Sequence, residues 1–405
     1  MWQSLVISFL NNFIFATPYY IKLKLYISRI MKEIQMVDLK GQYKKIKNEI
    51  DKSIQEVIDT TAFINGPQVQ KFQKELEKYL DVKHVITCGN GTDALQVSMM
   101  GLDLRPGDEV ITTSFTFIAT AEVIALLGLV PVLVDVCYDT FNIDPESFKK
   151  AITSKTKAVV PVHLFGQCAD MDSIIQIAKE HNLFIIEDAC QAIGAEYIFE
   201  NGLHKKAGTI GDVGCTSFFP SKNLGCYGDG GAIFTNDDEL AARLKVIVNH
   251  GMTVRYYHDM VGVNSRLDSI QAAILNVKLK HLDEYTAARQ KVANYYDKAF
   301  ANHPNIIIPA RDKKSTHVFH QYTLKIKGAD RFELQKHLQK KGIPAMVYYP
   351  VPIHLQKAYI DPRYKKGDFP VTEELCSSVI SLPMHTELDN EQLEYITETI
   401  IDYFN

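Results

Sequence analysis

Residues 217–234 read SFFPSKNLGCYGDGGAIF and set one lysine, Lys222, between an aromatic–proline run and a region with four glycines. A lysine in that setting is either a solvated loop charge or an amine held in a pocket because chemistry needs it there. The glycines let backbone pack closely around the amine, but the stretch alone leaves both readings open. The segments that precede and follow it decide between them.

From about residue 68 the chain alternates helix-like and strand-like runs. VQKFQKELEKYL has helical spacing of its apolar residues, HVITC is a short β-rich run, and GNGTDALQVSMMGL reads as a turn entering a helix. DEVITTSFTF, VPVLVDV, KAVVPVHLFG and LFIIEDA are further strand candidates, separated by helical ATAEVIALLG and DMDSIIQIAKEHN. Near-continuous apolar strands with helices between them predict a mostly parallel sheet covered on both faces, a large α/β/α domain. After about residue 280 the texture changes. A long polar helix, LDEYTAARQKVANYYDKAF, leads to HQYTLKIKG, another helix and the Pro- and Tyr-rich PAMVYYPVPIHLQKAY. These residues predict a smaller α+β domain, so residues 31–280 are assigned to the large domain and 281–405 to the small one.

The 405 residues are enough for two domains, since single cores seldom grow past roughly 250–300 residues. With 46% apolar and 23% charged residues and a net charge of −4, there is no basic excess for nucleic acid and no acidic tail. Seven scattered cysteines without a CxxC pair fit reduced thiols of a cytoplasmic protein better than a disulfide frame or a zinc site. Residues 1–30 are apolar and aromatic, but Asn11, Asn12 and Pro18 interrupt them, and neither a signal peptide nor a membrane span fits. They read as an extension outside the fold that starts near Met31, with a weakly membrane-associating segment as the alternative.

CGNGTDAL satisfies GxGxxA between a strand and a helix. A dinucleotide fold also needs an acidic residue at the end of the second strand. Here Asp108 and Glu109 stand at that strand's start, so the dinucleotide reading fails. Gly89, Gly91, Thr92 and Asp93 then form either an anion site at a helix start or an ordinary capped helix. Asp188, directly after an apolar strand, lies where open α/β sheets bind ligands, or caps a helix. Lys222 follows in order. A phosphate cradle, a carboxylate for a pyridine nitrogen and an amine for a Schiff base are the three groups pyridoxal phosphate requires. The amine must also be partly neutral near pH 7, which burial can arrange.

GNGTDALQ, FTFIATAE, IIEDACQAIGA, SFFPSKNLGCYGDGGAIFTND and GVNSRLDSIQAAIL resemble the DegT/StrS-type nucleotide-sugar aminotransferases, which have the aspartate aminotransferase-like fold (pyridoxal-phosphate fold type I). The similarity runs from about Ile34 to the C-terminus. It implies that Lys222 is the Schiff-base lysine and Asp188 the partner of the pyridine nitrogen. Gln191 would lie near the ring and Phe117 would stack on its face. Gly91, Thr92, Ser217 and the amide of Asp93 would bind the phosphate, and Asn264 would reach the phosphate of a neighbouring subunit's cofactor. A homodimer with shared sites follows. The lysine segment and VGVNSRLDSIQAAIL look most like the branch acting on UDP-2-acetamido-2-deoxy-3-oxo-glucuronate in O-antigen sugar synthesis, with glutamate as amino donor and 2-oxoglutarate as its product. There Arg266 would meet the sugar carboxylate, or else form an inter-subunit salt bridge. Tyr348 and Tyr349 stand where that branch carries a His–Tyr pair, which leaves the exact sugar open. His163 reads as a structural hydrogen bond, Cys226 as packing, and His320 and His354 lack metal-ligand spacing.

Overall fold

The computed structural model of the chain describes residues 32–405. The expectation for residues 1–30 therefore lies outside the described residues. The strands of the first half are β1 (His84–Cys88), β2 (Glu109–Thr113), β3 (Val130–Val134), β4 (Thr156–Val160) and β5 (Phe184–Asp188). A small hairpin follows, β6 (Glu196–Ile198) with β7 (His204–Lys206), and then β8 (Val213–Ser217) and β9 (Gly231–Thr235). Seven of these form one sheet in the order β1-β9-β8-β5-β4-β2-β3. Only β9 runs against its neighbours, pairing antiparallel with both β1 and β8. The carboxyl ends of the other six thus gather along one edge, where ligands of open α/β sheets bind.

The strands are rich in apolar residues because helices cover both faces. In β4, Ala158 and Val160 pack into a core under the helices Gly91–Gly101 and Asp238–Ile247, whereas Val159 points into the opposite core under Met171–His181. Ile186 and Ile185 divide the same way in β5. That alternation is the period-2 geometry of a strand buried on both sides. The expected α/β/α layering with a mostly parallel sheet is what the chain has.

Two of the strand readings run longer than the strands. DEVITTSFTF pairs only as far as Thr113, after which residues 114–118 turn into the helix Ala119–Leu126 and bring Phe117 to the sheet edge. KAVVPVHLFG leaves the ladder at Pro161, which has no N–H to donate, and keeps one isolated bridge from Val162 to Asp188. Around residues 250–258 the chain forms a further hairpin, β10 (Met252–Val254) with β11 (Tyr257–His258).

The C-terminal part holds an antiparallel sheet of β12 (Ile306–Ile307), β13 (Tyr322–Ile326) and β14 (Val379–Leu382). The helices Leu282–Phe300, Arg331–Lys340 and Asn390–Phe404 contribute to its core, and Ile34 from the start of the described chain is buried there too. Gln392 anchors that start by donating to the carbonyls of Lys32 and Glu33. The segment before β13 and the pair Tyr348–Tyr349 reach back to the edge of the large sheet. Among the described residues no helix is long and apolar enough to cross a membrane.

Candidate active site

A cavity of about 760 Å³ opens at the carboxyl edge of the sheet. Gly91, Thr92, Asp93, Phe117, Asp188, Gln191, Ser217, Lys222, Tyr348 and Tyr349 all line it. These are ten of the twelve residues singled out from the sequence, and they come from the first turn of one helix, the ends of β5 and β8, and four loops.

The helix Gly91–Gly101 begins with Asn90 as its cap, whose Oδ1 accepts from the Asp93 N–H at 2.8 Å. The Asp93 amide is therefore already engaged, and the amides of Gly91 and Thr92 are the ones left without intrahelical partners. Glycine at 91 is a steric requirement. A Cβ there would stand 2.7 Å from Ser217 Cβ and 2.9 Å from Cys190 Sγ, so any side chain would close the cradle between the helix start and β8. A Cβ at Gly231 would likewise lie 2.3 Å from the Asn90 carbonyl. Ser265 completes the turn: its Oγ accepts from Gly89 N–H at 2.8 Å and donates to Asp93 Oδ2 at 2.6 Å.

Asp188 is 6% exposed. Its Oδ2 accepts from Thr120 Oγ1 at 2.9 Å and its Oδ1 from the Cys190 N–H at 3.2 Å. Gln191 is held at both ends of its amide, accepting from the Phe165 N–H (2.9 Å) and donating to the Tyr349 hydroxyl (3.1 Å). Phe117 is 54% exposed, a large apolar ring left open on the cavity wall. Burial pushes the Lys222 amine below its ordinary range, against the opposing pull of Cys190 and Asp188. A lysine so placed is neutral more often than a surface lysine at the same pH.

The fit to pyridoxal phosphate follows from this donor set. Unpaired first-turn amides with the Thr92 and Ser217 hydroxyls suit a phosphate. A buried carboxylate suits a protonated ring nitrogen, an open phenyl ring suits a stacking face, and a pocketed lysine of lowered basicity suits an aldehyde.

Asn264 and Arg266 do not line this cavity. Ser265 between them points inward to Gly89 and Asp93, and in an extended segment neighbours point to opposite sides. Asn264 is accordingly exposed and Arg266 half-buried. His163 is fully buried: its Nδ1 accepts from the Ala169 N–H, so Nε2 carries the proton and donates to Glu187 Oε2 at 2.8 Å, a structural contact as expected. Cys226 is buried and donates to main-chain carbonyls.

Sequence reasoning missed His320, which the small domain carries to the cavity wall just before β13. It is buried, its Nδ1 has no partner among the described residues, and burial with the charges of Lys222 and Arg289 pushes its pKa well down. Thr120 was missed too, although its place three residues after Phe117 in FTFIAT was the available signal.

The DegT/DnrJ/EryC1/StrS aminotransferase family profile matches residues 44–401. A pleiotropic regulatory protein of Geobacillus stearothermophilus is 48% identical, covering 92% of this chain and 98% of the relative. The UDP-2-acetamido-2-deoxy-3-oxo-D-glucuronate aminotransferase of Pseudomonas aeruginosa is 46% identical, covering 90% and 98%. Among solved structures, DesV of S. venezuelae superposes with a TM-score of 0.88 at 38% identity, over 92% of this chain and 99% of that one.

Proposed function

This chain belongs to the DegT/DnrJ/EryC1/StrS aminotransferase family of pyridoxal-phosphate-dependent sugar aminotransferases, and within it we propose that it moves an amino group from L-glutamate to UDP-2-acetamido-2-deoxy-3-oxo-glucuronate. The product would be the 3-amino uronate, used in the cytoplasm for O-antigen and related polysaccharide synthesis. The observation that carries the reading is the meeting of Lys222 and Asp188 in one cavity, on a chain 46% identical to a protein named for that reaction.

When bound, pyridoxal phosphate supplies the electron sink that makes loss of the donor's Cα proton feasible. The chain's own residues do the rest. Lys222, its basicity lowered by burial, would act as general base and acid in each half-reaction, taking the proton from the donor Cα in the first and giving one to the acceptor carbon in the second. Asp188 holds its carboxylate at the ring nitrogen, Phe117 and Gln191 orient the ring, and Thr92 and Ser217 with the amides at Gly91 and Thr92 hold the phosphate. Tyr348 and Tyr349 offer hydroxyls to the sugar.

A homodimer is part of the proposal. Among the described residues, the cavity is lined by Asp93, Asp188 and Asp229 but by a single lysine and no arginine. A phosphate, a diphosphate and a uronate need more positive charge and more donors than that. Asn264 and Arg266, turned away from their own cavity, are suited to serve a second copy's. All seven cysteines are free, which supports a reducing compartment.

Two other readings have an observation behind them. Tyr348–Tyr349 in place of a His–Tyr pair favours a TDP-linked 3- or 4-keto-6-deoxy sugar, and the regulatory name of the 48% identical relative favours a non-catalytic cofactor-binding role. A screen with glutamate against UDP-linked 3-keto uronates and TDP-linked keto-deoxy sugars separates all three. Turnover of the uronate is expected. Turnover of deoxy sugars alone refutes the Arg266 argument, and cofactor binding without any turnover supports the regulatory reading.

A further inference from the structure

We propose that Thr120 is a positioning residue for Asp188, its hydroxyl fixing the plane of the carboxylate that faces the cofactor ring. The inference rests on the reading of Asp188 given above and adds what aims it. The main chain of Asp188 is pinned on both sides: its N–H donates to the Pro161 carbonyl at 2.9 Å and its carbonyl accepts from the His163 N–H at 3.0 Å. Those bonds set where Cβ points but leave the carboxylate free to turn. One donor on each oxygen removes that freedom, Cys190 N–H on Oδ1 at 3.2 Å and Thr120 Oγ1 on Oδ2 at 2.9 Å.

The two donors differ in kind. The Cys190 contact is local, from an Asx-type turn two residues on, and would form wherever that turn forms. Thr120 is 68 residues away in sequence, at the start of the helix Ala119–Leu126, and is 1% exposed, so water does not replace it. Its own N–H reaches the Phe117 carbonyl at 3.4 Å. The turn that sets the ring-facing Phe117 on the cavity wall thus also carries the group that orients Asp188. A carboxylate has about four lone-pair sites, so both oxygens keep room for a ring N–H after these two bonds.

The test is a double-mutant cycle on the full chain freed of cofactor, read as pyridoxal-phosphate affinity by absorbance titration, with the melting temperature followed alongside. Thr120→Val is expected to weaken affinity roughly tenfold, the size of one hydrogen bond to a charged group. Thr120→Ser, which keeps the hydroxyl, is expected to stay close to wild type. In an Asp188→Asn background the Thr120→Val change is expected to make no further difference. Should Thr120→Val fail to fold, Thr120→Ala takes its place in the cycle. Unchanged affinity in the Thr120 variant, an equal loss in both backgrounds, or a Thr120→Ser variant as weak as Thr120→Val each overturns the proposal. If Asp188→Asn itself leaves affinity untouched, the reading of Asp188 fails and this inference falls with it.

Discussion

Glu187, next to Asp188 on β5, offers the sharpest test of how the site's scaffold is held. It is fully buried, and both of its oxygens are doubly engaged. Oε1 accepts from the N–H groups of Ile210 and Gly211, each at 2.6 Å, and Oε2 from the Gly208 N–H at 2.9 Å and His163 Nε2 at 2.8 Å. Four donors converge on one carboxylate, and they tie the loop before β8 to β5. Glu187→Gln keeps the shape but puts an NH₂ where an oxygen accepted two bonds. Turning the amide over only exchanges which pair of donors it faces. His163 offers no escape by changing tautomer, because the Ala169 N–H already points at its Nδ1. Two bonds to a charged acceptor are therefore lost, at about 1.5–3 kcal/mol each, or roughly 3–6 kcal/mol together. That is a large part of the total stability of about 5–15 kcal/mol typical of native proteins. For a chain of this size it corresponds to a fall in melting temperature of roughly 4–8 °C. Differential scanning fluorimetry of both proteins, with and without pyridoxal phosphate, measures it. A fall of under about 1 °C refutes the reasoning, since the scale of the loss follows directly from the bond count.

Two further perturbations probe the lysines. Lys222→Ala is expected to abolish turnover and the near-ultraviolet and visible absorbance of the lysine-bound cofactor, and normal turnover in that variant sinks the assignment of Lys222. Lys278, from the helix Ser269–Lys278, is buried beneath the same loop, its Nζ donating to the Gly225 carbonyl at 2.5 Å, and burial pushes it down to about 8 from 10.5. Between those values the unfolded chain holds a proton that the folded chain has released, so stability rises with pH across that window and the charged form is a cost below it. Lys278→Met is accordingly expected to gain roughly 1–3 kcal/mol over wild type at pH 7, with the gain shrinking toward pH 10, in denaturant titrations at several pH values. A variant less stable than wild type at pH 7 means that the bond to Gly225 outweighs the burial of charge.

The strands were legible because their burial on both faces makes them near-continuous in apolar residues, which is a local property of sequence. Their ends were less so. Thr113 closes β2 although the apolar character continues through Phe117, because residues 114–118 must turn to start a helix, and apolar content does not distinguish a core strand from an apolar loop on a cavity wall. Asp188 shows how a single residue satisfies two readings at once. It makes the short cap-type contact to the Cys190 N–H that its residue type favours, yet no helix follows, and the carboxylate still lines the cavity. The choice between cap and ligand partner was never exclusive, since a carboxylate can accept more than one bond.

What lay beyond the sequence were contacts whose partners are remote along the chain. His320 comes to the wall of a cavity built mainly from residues 90–229 only because the small domain folds back over the sheet edge, and nothing in HQYTLKI announces that return. Asn264 and Arg266 present the converse problem. The family resemblance groups them with the site, and Ser265 between them does bond to Gly89 and Asp93, but that inward bond is what turns its neighbours outward. Among the described residues the cavity is lined by three aspartates and one lysine, and Arg266 is not among its lining, an arrangement that suits the proposed homodimer. Each copy would lend the cation it does not use to the acidic cavity of the other, and the acidic lining then suits substrate binding only once two chains have met.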